Sequence, residues 1–543
     1  VTRPEAPGAV AGAAVNVAPD GSAGPRGSVF DRRASGVLLH PTSLPGPHGS
    51  GDLAASEAFL DALAAAGQSW WQMLPVGPVG RGYSPYDSAS SFAGSPLLIG
   101  LGALAEEGLL RADELEAPAA FGRGPARFAA AARFRLARLE RAWERHRARP
   151  RARAASLEEF RERTRAWLPD YALYCALRAA SGVAWPDWDP ALRDRRRSAL
   201  ARARRAHASA IDLHEFIQFL FDRQWRALRE RARRRGVRLL GDVPMFIALD
   251  GAEAWAHREL FSLDRRGAPT VVAGVPPDAF SRSGQRWGNP VYRWDRLRAT
   301  GYRFWVERLA ATLERFDAVR LDHFIAFHRY WAVPAASRTA RRGRFVLVPG
   351  ADFFTRLRAE LRGLPFVAED LGLVTPEVTA LRERFALPGM QVLEFAFDDG
   401  EDGRRYLPHR YPQHTVAYTG THDNDTVRGW FDERPRPGDA AHAAALARRR
   451  RRVLDYVGSD GRELNWDLIG LLMRSAANTV ILPVQDLLGL GSRARMNVPG
   501  TPTGNWRWRL EPGALDRRLL ERLGSLTRAT ERAPSPSRRA ARP

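Results

Sequence analysis

The chain has 543 residues, 45% of them hydrophobic and 27% charged, which is the balance of a globular protein with an ample core. No run approaches the eighteen or so apolar residues that span a bilayer, so no membrane partner is expected. The formal charge of +22 points at first to nucleic acid. The chain contains no lysine, however, so all 83 basic residues are arginine. With abundant Ala, Gly and Pro this is the signature of GC-rich coding, and the arginines fall on helical stretches at 129–165, 193–205 and 448–452. Solvated helix faces account for them, and no nucleic-acid partner is expected.

Residues 1–35 are rich in Gly, Ala, Pro and Val without periodicity and predict a disordered extension. Apolar runs then recur at 36–40, 70–76, 239–247, 318–324, 366–370, 390–395, 415–419 and 479–484, alternating with helical patterns such as 56–66, 301–315 and 353–361. Eight strands alternating with helices predict an α/β chain folded as a (β/α)8 TIM barrel over residues 36–512. A doubly wound sheet has the same local signal, but no Gly-x-Gly-x-x-Gly follows a strand. The segment 97–236, between the second and third strands, is too long for a loop and predicts a helical insertion. It holds the one cysteine, Cys175, on an amphipathic helix, where a buried structural thiol is expected and no disulfide can form; a reducing, cytoplasmic compartment agrees with this. A second insertion, about 250–292, mixes Pro, Gly and aromatic residues and predicts an ordered lid. The tail, 513–543, is expected to be frayed.

Acidic stretches at 319–323, 367–370 and 421–425 close three of these runs. Carboxylates raised at the C-terminal ends of successive parallel strands build the catalytic floor of a barrel. Two carboxyl groups, one protonated and one ionised, are the minimum for cleaving a glycosidic bond. Along a strand, residues i and i+2 face the same way, so Arg320 orients Asp322 and favours its ionised form, as a glycosyl nucleophile requires. Glu369 ends the next strand, where desolvation and the charge of Asp322 raise its pKa and suit it to proton donation. Asp423, with His422 beside it, is placed to hold sugar hydroxyls and stabilise an oxocarbenium-like transition state. Sixteen tryptophans suit a saccharide site, although core packing accounts for most. A metal site is the competing reading of His323, His422 and their Asp neighbours. Asp322 and His323, adjacent on a strand, face opposite sides, and no H-E-x-x-H or paired cysteines occur, so no metal and no cofactor are expected.

The blocks LHPTSLP at 39–45, SPY at 84–86, GDVP at 241–244, QRWGNP at 285–290 and RLD at 320–322 continue with AEDLG at 368–372, GTHDND at 420–425, RMN at 495–497 and GNW at 504–506. Together they resemble the 4-alpha-glucanotransferases (amylomaltases or disproportionating enzymes) of glycoside hydrolase family 77 in the alpha-amylase clan. The resemblance implies Asp322 as nucleophile, Glu369 as acid/base and Asp423 as transition-state stabiliser. It further implies glucan contacts from Ser84, Tyr86, Asp242, Arg320, Asp370, His422 and Asn497, and a loop bearing Asp278, Gln285 and Trp287 that arches over the glucan. The implied reaction moves α-1,4-glucan segments from a donor to an acceptor glucan or glucose by a retaining double displacement through a covalent glucosyl-enzyme. Maltooligosaccharides, amylose and glycogen-derived chains are the implied partners. An α-amylase-type retaining hydrolase and a non-catalytic glucan-binding protein are the alternatives; a lid that excludes water favours transfer. Asp87 stands where Gln is common and Ser95 where Asn is common, departures that bear on acceptor preference.

Overall fold

In a computed structural model of the protein, which describes residues 28–148, 154–277, 281–397 and 402–534, eight parallel strands follow one another round a barrel in chain order. They are β1 (Ala34–Leu38), β2 (Trp70–Gln72), β3 (Arg238–Val243), β4 (Ala318–Leu321), β5 (Phe366–Ala368), β6 (Gly389–Val392), β7 (Thr415–Tyr418) and β8 (Thr479–Pro483). β8 pairs with β1, Thr479 opposite Ala34. Between β5 and β6 the ladder gives way to a single backbone bond from Ala368 N to Pro388 O, 2.9 Å. A side chain completes the seam, because Met390 N donates to Asp370 Oδ1 at 2.8 Å.

Both faces of these strands are buried, which is why each reads as an apolar run. Alternation sends Leu38, Trp70, Leu240, Val367, Val416 and Ile481 into one buried cluster inside the barrel. Trp71, Leu239, Val319, Phe366, Ala417 and Leu482 go to the cluster shared with the surrounding helices. Gly36 makes room for the largest interior residue, since a Cβ there would come within 2.4 Å of Trp70. Phe30, 1% exposed, stacks on Trp70 at 5.3 Å and plugs the floor. The expected extension over 1–35 is therefore folded from residue 28 onward; residues 1–27 lie outside the described residues. An apolar ring that fills the barrel mouth gains more from burial than it loses in chain entropy.

The tail also differs from expectation. Asp516 caps a helix, Arg517–Ala529, by accepting from Leu519 N, and Leu523 and Thr527 on it are buried. Beyond it Arg532, fully buried, donates to the carbonyls of Ala34, Met473, Ser475, Ala477 and Asn478 at 2.8 to 3.1 Å. One planar guanidinium with five donors thus closes the floor beneath β1 and β8.

After β2 the chain enters a helical insertion, including Phe128–Arg147, Leu168–Ser181 and Ala208–Arg234. The last of these, 27 residues long, begins within the insertion and ends as the barrel helix that leads into β3. Arg135, 1% exposed, sews the insertion to the barrel through Asp52 (2.9 Å) and Ile99 O (2.6 Å). Arginines form ion pairs along the helices of the insertion, as half-buried Arg161 does with Glu215 (2.6 Å) and Asp212 (2.9 Å). Cys175 lies on Leu168–Ser181, its thiol pushed up to about 12 by burial.

The lid takes a different form from a single loop. Val271–Val275 and Gln285–Pro290 pair antiparallel, and the segment after β4 adds Arg329–Pro334 and Arg344–Leu347 to make a four-stranded sheet. Two excursions of the chain therefore build one rigid flap over the C-terminal face. Among the described residues no helix is long and apolar enough to cross a membrane. Arg532→Ala is expected to cost about 3 kcal/mol by leaving buried carbonyls unpaired, read as a lower Tm with activity intact in the remaining folded enzyme.

Candidate active site

The end of each strand turns polar where the interior turns apolar behind it. Asp242 on β3 and Arg320 on β4 are register partners, and Arg320 NH1 lies 2.7 Å from Asp242 Oδ2 and 2.9 Å from Asp322 Oδ1. The guanidinium is buried. Burial alone would draw its pKa down, but Asp242 and Asp322 outweigh that and hold it firmly protonated. Burial pushes the Asp242 carboxyl up, and Arg320 opposes the rise.

Glu369, one residue past β5, has no such cation bonded to it. Its Oε2 accepts from His323 N at 2.6 Å. Residue 323 turns the chain after β4 with φ 52°, ψ 51°, a left-handed conformation that a non-glycine residue adopts at some cost. That turn is what aims the amide at Glu369. Burial raises the Glu369 carboxyl well above the usual carboxylate range; Arg320 pulls it down, and the charge of Asp322 adds to the rise. One carboxyl is thus tied to a guanidinium while its neighbour is driven toward the protonated form.

The remaining groups form a chain. Tyr86 OH donates to Asp242 Oδ2 at 2.8 Å, so it accepts from His422 Nε2, also at 2.8 Å. His422 is buried, stacks on Tyr86 at 5.2 Å and lies 3.5 Å from Asp423 Oδ1. Asp423 is exposed to the cleft, and Asn497 Nδ2 donates to its Oδ1 at 2.7 Å. Ser84 Oγ accepts from Tyr86 N at 3.2 Å and sets the entry of that ring. On the lid, Trp287 packs edge-on against His323 at 4.8 Å and donates to Gln285 Oε1 at 3.2 Å. A cleft runs beside His422 past His40, Asn424 and Arg495.

Asp322, Glu369, Asp242, Arg320, Tyr86, His422, Asp423 and Asn497 are thus brought to one end of the barrel, with Ser84, Gln285 and Trp287 at its rim. Asp278 lies outside the described residues. Asp370 faces another way: its carboxylate is spent on Met390 N and on Arg382, 3.0 Å away, in the wall between β5 and β6. The three acidic strand ends are not successive either, because β6 stands between those that lead to Glu369 and Asp423.

Two contributors entered the sequence reading only as members of blocks, Arg495 in RMN and Trp506 in GNW. Arg495 holds the backbone of Asp423 by a 2.6 Å bond to its carbonyl. Trp506 rests 5.9 Å from both Tyr86 and His422; only the GNW block could have drawn attention to it. Among the described residues no group of three or more His, Cys, Asp or Glu is placed to hold a metal ion.

A (β/α)8 barrel with these carboxylates around one arginine on its C-terminal face has the makeup of a barrel enzyme's active site. The sequence model of the family described as 4-alpha-glucanotransferase matches residues 39–516. The 4-alpha-glucanotransferase of Thermus thermophilus is 48% identical over 506 residues, 92% of this chain and 99% of that protein. The chloroplastic/amyloplastic 4-alpha-glucanotransferase of Solanum tuberosum is 39% identical, over 90% of this chain and 84% of that one. Among solved structures, the amylomaltase of Streptococcus agalactiae in complex with acarbose superposes with a TM-score of 0.87 at 34% identity, covering 93% of this chain and all of that one. The chain belongs to the 4-alpha-glucanotransferase family of glycoside hydrolase family 77. Its activity is the transfer of α-1,4-glucan segments from a donor to an acceptor.

Arg320→Met would leave Asp242 buried beside Asp322 without a cation, at a cost of about 3–5 kcal/mol. The expected result is a clear drop in Tm, with part of it regained when Asp242→Asn is added.

Proposed function

We propose that Asp322 is the nucleophile, Glu369 the acid/base and Asp423 the transition-state stabiliser of this transfer. The observation that carries the assignment is the asymmetry around Arg320, which bonds Asp322 at 2.9 Å while burial raises Glu369. In the first step an Asp322 oxygen attacks C1 of the donor glucose as the bond from C1 to the leaving O4 breaks. Glu369 gives its proton to that O4, and a covalent glucosyl-enzyme results. In the second, Glu369, now a carboxylate, takes the proton from the 4-hydroxyl of the incoming acceptor. The acceptor oxygen attacks C1, Asp322 is released, and two inversions give net retention. Asp423, oriented by Asn497 and beside His422, holds the sugar hydroxyls as positive charge grows at C1.

Glucose and short maltooligosaccharides are the acceptors in this reading, with longer α-1,4-glucans as donors. Transfer prevails over hydrolysis because Trp287, carried on a paired strand rather than a free loop, covers His323 next to the nucleophile and limits water at the second step. Tyr86, His422 and Trp506, clustered at 5.2 to 5.9 Å, supply the aromatic wall for sugar faces. A cytoplasmic site of action belongs to the same reading.

Maltotriose incubated with the enzyme is expected to give free glucose and a ladder of longer maltooligosaccharides; shorter products alone would assign hydrolysis. Glu369→Gln should lower turnover of maltotriose by about 10²–10⁴-fold, with a much smaller loss in the first step on α-maltosyl fluoride, whose leaving group needs no proton. An equal loss on both donors would remove Glu369 from the acid role. Trp287→Ala is expected to raise the hydrolysed share of products while kcat for donor cleavage changes little.

A further inference from the structure

The segment that carries His422 and Asp423 leaves β7 at Thr419 and re-enters regular structure at Val427, the first residue of the helix Val427–Phe431. Both ends of this excursion meet one side chain. Asp486, 1% exposed, sits on the short helix Val484–Leu487 just past β8. Its Oδ2 accepts from Thr419 Oγ1 at 2.5 Å, and its Oδ1 accepts from Val427 N at 2.8 Å. Asn465 Nδ2 donates to the Asp486 carbonyl at 2.9 Å and fixes the backbone behind it.

We propose that Asp486 is a positioning residue for the transfer reaction, a carboxylate staple that closes the Thr419 and Val427 ends of the loop and so sets where Asp423 stands. It touches neither substrate nor the reacting atoms.

The rest of the loop is fastened in a way that depends on those ends. Thr421 N and Oγ1 both donate to Asn424 Oδ1, at 2.9 and 2.8 Å, which makes the turn itself rigid. Asp425 accepts from Ser492 Oγ at 2.7 Å. Arg495 and Asn497 then grip Asp423 from the segment C-terminal to Asp486. Apart from the bond of His422 to Tyr86 and a 3.3 Å backbone bond from Glu394 N to Thr419 O, the loop after β7 is anchored to residues beyond β8, and Asp486 is the member of that set that binds its two ends together. Glu394 lies against the same loop, near enough that a Cβ on Gly420 would come within 2.8 Å of its carboxyl. A side chain at 420 would have to displace Glu394 or the loop itself. With its ends fixed a loop this short has few conformations left; with them free, a displacement of about 1 Å at a catalytic group costs on the order of 10²-fold in rate.

The inference rests on the proposed role of Asp423, and the experiment separates the two. Burial raises the Asp486 carboxyl to about 6, so kinetics of the full-length enzyme with α-maltosyl fluoride and maltose at a pH of about 7.5 keep it a carboxylate. Asp486→Ala is expected to lower kcat on the order of 10²-fold, with KM within about threefold because the loss falls on the transition state. Asp486→Asn, whose carboxamide can accept from Val427 N and donate to Thr419 Oγ1, should keep at least about a third of wild-type turnover. Asp423→Ala and the double variant Asp423→Ala/Asp486→Ala should have the same kcat, since the staple acts through Asp423. A purely structural role would lower the double variant below Asp423→Ala by the full factor seen for Asp486→Ala alone, and that result would overturn the proposal. So would near-wild-type turnover of Asp486→Ala beside an impaired Asp423→Ala. Wild-type turnover of Asp423→Ala would instead sink the role given to Asp423. Should Asp486→Ala fail to fold, Thr419→Val removes one leg of the staple and is expected to lower kcat about tenfold at unchanged KM; an unchanged kcat would count against the proposal.

Discussion

Arg320 is the group on which the rest of the site depends. It stands opposite Asp242 in the β3–β4 register and reaches Asp322 two residues along its own strand. A guanidinium buried among carboxylates satisfies charges that could not otherwise leave water together. Because its bonds go to Asp242 and Asp322, Glu369 on the next strand is left to respond to burial. A single cation thus makes two neighbouring carboxyl groups chemically unequal. From Asp242 the pattern continues through Tyr86 and His422 to the side of Asp423, so that strand ends and loops far apart in sequence share one set of orientations.

The barrel supports this charge cluster by being apolar and packed beneath it. Trp70, with Phe30 below, fills the floor, and the interior side chains remain apolar up to the level of Gln72, which accepts from Tyr418 OH at 2.9 Å. Above that level stand Asp242, Arg320 and the loop residues of the site. The gradient suits such a site: fixed donors and charges on top of a packed, apolar base. The floor is closed by Phe30 from one side and Arg532 from the other, neither of which bonds to a carboxylate of the site.

Over the site, the sheet that carries Trp287 is drawn from the connections after both β3 and β4. A flap of paired strands moves as a unit and keeps its aromatic residue at a fixed height over His323, whereas a free loop would spend binding energy on ordering itself. The left-handed turn at His323 serves both sides of this arrangement, its amide on Glu369 and its ring on Trp287.

The barrel was legible in the sequence because parallel strands buried on both faces leave runs of apolar residues, and all eight coincide with observed strands. Asp322, Glu369 and Asp423 stood out in the sequence because a carboxylate at the end of such a run is conspicuous, and the i, i+2 rule joined Arg320 to Asp322, a pair that the structure places 2.9 Å apart. Other features lay beyond reading because they are set by contacts between distant segments. The second half of the lid at Arg329–Pro334 and Arg344–Leu347 has no strand signal that distinguishes it from a loop. Residues 28–35 carry little pattern until the barrel floor gives Phe30 a place to pack, whereas the helix Arg517–Ala529 did carry a signal, its Asp516 cap and the helical spacing of Leu519, Leu520, Leu523 and Leu526, which the expectation of a frayed tail passed over. The resemblance implies a glucan contact for Asp370, whose carboxylate instead meets Met390 N and Arg382 at the β6 seam, and nothing in the local pattern singles out Asp486. Local pattern fixes which residues form strands and which strands end in acid. Where each carboxylate points is decided by the donors that surround it, and those come from elsewhere in the chain.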